Sequence, residues 1–159
     1  MYPYYYYRGN NWDHILMLLR QSLYAEEMVC SMSSELFHIP ETKDLEGNDE
    51  MHSHLVPASY HRVTAVGSAQ RLKNGEQRET IVQTMTTCII NAENQDRKVR
   101  EGLNTMEQNA SQEYKAFIQV IIKWQEQAES YLMQAKEAVK SMGYSMPAEN
   151  EQQTGEALY

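Results

Sequence analysis

The stretch YKAFIQVIIKWQEQAESYLMQAKEAVKSM, residues 114–142, decides the fold. Tyr114, Phe117, Ile121, Trp124, Ala128, Tyr131, Ala135, Ala138 and Met142 follow one another in steps of three and four, flanked by Ile118, Leu132 and Val139. That spacing puts them on one stripe of an α-helix and turns the stripe toward other helices. Ser111 stands where an N-cap belongs, and Gly143 where a glycine ends a helix in the left-handed conformation.

The same rule runs through Val82, Met85, Ile89, Ala92, Val99, Leu103 and Met106, with Asp96 where another apolar residue is due. The connection at residues 108–110 is short, which predicts an antiparallel hairpin of two long helices. A first helix is predicted from Trp12 to Ile39, its stripe carrying Trp12, Leu16, Leu19, Leu23, Cys30 and Phe37, with Glu26 and Ser33 interrupting it and Pro40 stopping it. A shorter helix is predicted over Pro57 to Lys73, with Pro57 in its first turn and Tyr60, Val63 and Val66 facing inward, before Asn74-Gly75 turns the chain. Residues 40–50, PETKDLEGNDE, read as an acidic loop.

The predicted fold is therefore all-α, a four-helix bundle of up-down type. Its parts are a Tyr-rich flexible arm (1–11), a bundle domain (12–142) and a flexible polar tail (143–159). A chain of 159 residues buries enough surface for one such domain without metals or disulfides.

Composition narrows the function classes. A net charge of -8 and a pI of about 5.1 argue against nucleic acid, and Arg97, Lys98 and Arg100 are interleaved with Glu93, Asp96 and Glu101. A mean hydropathy of -0.67 and the lack of a long apolar run predict no membrane span. The first residues show no basic segment followed by an apolar one, so a cytoplasmic protein is expected, with Cys30 and Cys88 as reduced, buried thiols. There is no GxSxG, no Gly-rich phosphate loop and no HExxH, and no enzyme and no cofactor is predicted.

Bundles can hold paired metals on carboxylates and Glu-x-x-His strings. One such string occurs, Glu35-Leu36-Phe37-His38, and the helical layout resembles the ferritin-like superfamily. A second string is missing, and Glu26 and Glu35 are separated by roughly 13 Å along one helix. Glu35 and His38 otherwise decorate a helix terminus. His52, His54 and His61 are further metal candidates, because Glu50-Met-His-Ser-His in an extended or turning segment could present two imidazoles and a carboxylate. Glu26 and Asp96 interrupt apolar stripes: each is either buried, and then paired or protonated, or lies at the stripe edge and reaches solvent.

The start, Tyr2, Pro3, Tyr4, Tyr5, Tyr6, Tyr7, Arg8, offers phenols that can stack on a partner or be oxidatively cross-linked. Such a Tyr/Pro-rich start ahead of a helical bundle resembles coat-associated and ferritin-like proteins of spore-forming bacilli. That resemblance implies a structural role in a spore layer, with Tyr2, Tyr4, Tyr5, Tyr6 and Tyr7 as interaction residues. The leading expectation is a non-enzymatic bundle that binds itself or a protein partner. Alternatives are an atypical metal-binding bundle and an adaptor that takes a partner helix in a groove lined by Met17, Met28, Met32, Met85 and Met106.

Overall fold

The computed structural model describes residues 3–76 and 78–147, with side chains described from Asn11 onward. These residues form five helices: α1 (Pro3–His38), α2 (Pro40–Lys43), α3 (Asn48–Lys73), α4 (Glu79–Asn109) and α5 (Gln112–Ser141). No strand occurs among them, so the fold is all-α and bundle-like. α1 packs against α3 and α5, and α4 packs against the same two helices.

The two C-terminal helices follow their sequence pattern closely. On α4, Val82, Met85, Ile89, Ala92, Val99, Leu103 and Met106 are all buried. On α5 the buried row is Ile118, Ile121, Ala128, Leu132, Ala135 and Val139. The large aromatics Tyr114, Phe117, Trp124 and Tyr131 sit half-buried at its rim. Gly143 takes φ +93° just past the end of α5, the left-handed geometry that a glycine accepts without a Cβ clash.

Five expectations are corrected by the N-terminal half and the tail. The α1 backbone is helical from Pro3 rather than Trp12, so residues 3–11 extend the helix instead of forming a separate irregular arm. The expected acidic loop holds the short helix α2 and the first turn of α3. There the Thr42 hydroxyl donates to Leu36 O (2.8 Å) and Asn48 Nδ2 to Lys43 O (3.1 Å), which satisfies carbonyls that a helix end leaves open.

α3 begins at Asn48, and Pro57 lies inside it rather than in its first turn. An internal proline removes one backbone hydrogen bond. Burial of Met51 and Leu55 ahead of it, at 0% and 2% exposure, keeps that segment helical. The start of α3 also presses on α4, since a Cβ on Gly102 would lie 2.7 Å from Met51 Cβ, a closeness only glycine permits. Finally, part of the expected tail is packed: Tyr144 and Met146 rest on the core, with the Tyr144 ring 5.8 Å from Trp12.

The inward face of α3 is the largest correction. Tyr60 and Val63 are 64% and 54% exposed, and the residues that face inward are Ala58, Arg62, Ala65, Ala69 and Leu72. The interior is accordingly divided. One apolar cluster holds Leu19, Ala65, Ala92 and Leu132, and the other holds Val29, Leu55, Val99 and Ile122. Between these positions each long helix contributes buried polar residues: Ser22 and Glu26, Arg62, Asp96, and Gln125.

Candidate functional site

That polar layer is built around Arg62, whose side chain is fully buried. Its Nη1 and Nη2 donate to the two carboxylate oxygens of Asp96 at 2.8 and 2.6 Å, a bidentate fork matched to the planar guanidinium. Nε donates to Ser22 Oγ at 2.8 Å, and Ser22 Oγ donates onward to Ala128 O at 2.6 Å. Glu26 completes the ion cluster with Oε2 3.7 Å from Arg62 Nη1. All four long helices are thereby tied at one level.

Two members are poorly satisfied. Among the described residues neither carboxylate oxygen of Glu26 and neither amide atom of Gln125 has a hydrogen-bond partner, although both side chains are fully buried. Burial pushes the Glu26 carboxyl up to about 8, with Arg62 opposing the shift and Asp96 and Glu129 adding to it. Burial opposes the charge on Arg62, but Glu26 and Asp96 outweigh it and hold its pKa above the ordinary arginine range. At the layer's edge Glu129 is pushed up to about 7, mainly by burial, against the Arg100 hydrogen bond at 3.0 Å.

Chemically this is a closed charge layer. A buried ion pair contributes little net stability compared with apolar side chains of the same volume, yet separating its partners is strongly unfavourable. It penalises any register in which Arg62 and Asp96 fail to meet. The positive charge among the carboxylates is supplied by the chain's own guanidinium.

The metal candidates are spread out. Glu35 lines an open groove of about 490 Å³ with Met32, Tyr114 and Phe117, away from the layer, and His38 is exposed at the end of α1. His52 and His54 lie inside helix α3 rather than in an extended segment, and two positions on a helix point about 200° apart. His52 lies against the Phe37 ring of α1, tilted by 44° with centroids 4.0 Å apart, while His54 Nδ1 donates to Gln95 Oε1 of α4 at 2.6 Å. His61 lies beside the Tyr60 ring, 5.7 Å between centroids. Of the six candidates only Glu26 belongs to the layer, and among the described residues no three His, Cys, Asp or Glu side chains are grouped to hold a metal ion.

The methionines of the expected adaptor groove also disperse: Met85 and Met106 are core, whereas Met17 is 50% exposed on α1. Tyr2 and the side chains of Tyr4, Tyr5, Tyr6 and Tyr7 lie outside the described residues. Cys30 and Cys88 are free thiols whose pKa values burial pushes up, which disfavours the reactive thiolate.

Sequence reasoning found Glu26 and Asp96 but missed Ser22, Arg62 and Gln125. The available signal was a polar residue breaking the buried row at one level of every helix. It was hidden on α3, where of the expected inward row Tyr60, Val63 and Val66 only Val66 packs against the core, and Tyr60 and Val63 lie on the outer face. Comparison with protein-family models, with curated proteins and with solved structures gives no significant match.

Proposed function

We propose that this chain is a non-enzymatic helical-bundle protein of structural or interaction type, acting through contacts of its outer faces with itself or with a protein partner. The observation that carries this reading is the set of large apolar side chains left exposed on α1 and α3: Met17, Tyr24, Val56, Tyr60 and Val63. Exposed apolar side chains that share one face are a usual mark of a contact site, and Val56, Tyr60 and Val63 share one face of α3. The interior gives complementary support, because its charged layer is closed on itself by Arg62.

The layout that goes with this reading is an up-down four-helix bundle of ferritin-like type. Contacts support it: Asp13 meets Lys73 and Phe37 meets His52, while Glu93 meets Lys136 and Glu107 meets Gln119, so that early residues of one helix face late residues of its neighbour. Incorporation into a spore layer through the phenols at the start of the chain remains part of the proposal, on the strength of the Tyr-rich stretch alone. No described helix is long and apolar enough to cross a membrane.

Sedimentation of the full chain over a wide concentration range, alone and with residues 1–11 removed, tests the reading. Concentration-dependent association is expected. A strictly monomeric chain at millimolar concentration would overturn its self-association, and stoichiometric metal in the purified protein would overturn the reading as a whole.

A further inference from the structure

α3 carries its apolar residues on the outside in a regular pattern. Val56, Tyr60 and Val63, at 73%, 64% and 54% exposure, follow steps of four and three, and the next step of four reaches Gly67. A Cβ added to Gly67 would meet nothing within 4 Å, so the glycine is an open notch at the end of the row. With a rise of 1.5 Å per residue the row is roughly 16 Å long, about three turns of one helix face.

The ends of the same helix are oppositely charged. Its first turn carries Asp49 and Glu50, and its last turn carries Arg71 and Lys73. Asp49 and Arg71 fall within about 40° of each other around the helix axis and on the same side as the apolar row. Arg71 donates to Glu76 Oε2 from Nε and Nη2, and Lys73 pairs with Asp13 at 2.8 Å, but both side chains remain 54% and 41% exposed and so open to a further partner.

We infer that a second copy of this chain docks antiparallel on the outer face of α3, apolar row against apolar row, with the acidic first turn of each copy beside the basic last turn of the other. A two-fold axis crossing the helix between His61 and Arg62 sets Tyr60 against Val63 of the second copy and Val56 into the notch at Gly67 of the second copy. In the same register Asp49 comes within one turn of Arg71 of the second copy, well inside the reach of an arginine side chain. A parallel alignment would bring Asp49 beside Asp49 and Arg71 beside Arg71, and like charges so placed are repulsive. Packing a large side chain on a glycine lets two helices approach closely, which favours the antiparallel register over a slipped one.

Three side chains and a glycine fall short of the roughly 800 Å² per partner of a standard interface, so the dimer is weak, with a dissociation constant in the micromolar range or above. The inference rests on the interaction reading, but it commits to one face and one geometry.

The test uses the full chain and a charge exchange. Asp49→Arg alone and Arg71→Asp alone each create like-charge contacts at both ends of the dimer and are expected to weaken self-association by about tenfold or more at low salt. An equimolar mixture of the two variants recreates both attractive contacts and should restore association to within about threefold of the unaltered chain. Val63→Glu, at an exposed position, should abolish association while leaving the helical circular dichroism unchanged. If the unaltered chain associates but all three variants and the mixture associate equally well, the α3 docking is overturned and the interaction reading stands on another face. If the unaltered chain stays monomeric throughout, the α3 docking is overturned and self-association falls with it, leaving only contact with a different protein.

Discussion

Along α5, Ile118, Ile121, Leu132 and Val139 lie inside and Lys123, Glu126 and Glu137 outside; along α3, Arg62 lies inside and Val56, Tyr60 and Val63 outside. The two helices have neighbours in common, α1 and α4. Their inner faces nevertheless work differently. α5 supplies branched apolar side chains that fill volume, whereas α3 supplies small residues, Ala58, Ala65, Ser68 and Ala69, which let the helix lie close while one long arginine reaches across to α1 and α4. The comparison teaches that the middle of a helix can be held in a bundle by one satisfied charge and a narrow small-residue face, with large apolar anchors only toward its ends at Met51, Leu55 and Leu72, leaving Val56, Tyr60 and Val63 free for other contacts.

The largest expected effect comes from cutting that charge. Arg62→Met leaves Asp96 buried without its bidentate partner, and the loss of stability is expected to be about 3–5 kcal/mol in a denaturant titration. Replacing Glu26 and Asp96 by Leu in the same chain should recover most of it, because the penalty lies in the unpaired charge rather than in lost packing. A loss below about 1 kcal/mol for the single variant would mean that α3 is not held by its arginine, and the contrast with α5 would break.

On α5 the matching experiment is Ile121→Ala, which removes a fully buried side chain from the second apolar cluster. The expected cost is about 2–5 kcal/mol, from lost transfer energy plus the cavity left behind, with no dependence on pH between 5 and 9. A cost that varied with pH over that range would mean that the two faces are energetically coupled rather than distinct.

A smaller effect sharpens the contrast. Glu26 has its pKa raised from the ordinary 4.5 to about 8, so between those values the folded chain binds more protons than the unfolded one. Stability is then fully supported below about pH 4.5, declines as pH rises to about 8, and is level beyond. Glu129, raised to about 7, adds a decline in the same direction. Glu26→Gln should flatten the decline without abolishing it and leave the variant more stable than the parent at pH 9. Parallel pH profiles for the two proteins would remove Glu26 as the source.

How far the sequence could be read depends on where each pattern draws its signal. α4 and α5 are legible because their apolar rows are made of large residues and point to the core, so the periodicity and the burial agree at Met85, Ile89, Ile121 and Leu132. α3 is legible only as a helix: Val56, Tyr60 and Val63 point outward while Met51, Leu55 and Leu72 point inward, and periodicity alone carries no sign for which face is buried. The same ambiguity hid Arg62 and made His52 and His54 look like neighbours, when a helical backbone sends one toward Phe37 and the other toward Gln95.

What the sequence by itself determined, then, is the all-α class, the two C-terminal helices with the turn between them, and the presence of carboxylates at Glu26 and Asp96 where apolar residues were due. Local spacing is enough for these, since a helix stripe is a property of residues within a few turns of one another. Only the tertiary structure decided that Glu26 and Asp96 are buried and that Arg62 is the group between them. Burial and charge pairing depend on residues 34 and more positions apart meeting in space, which no local pattern encodes.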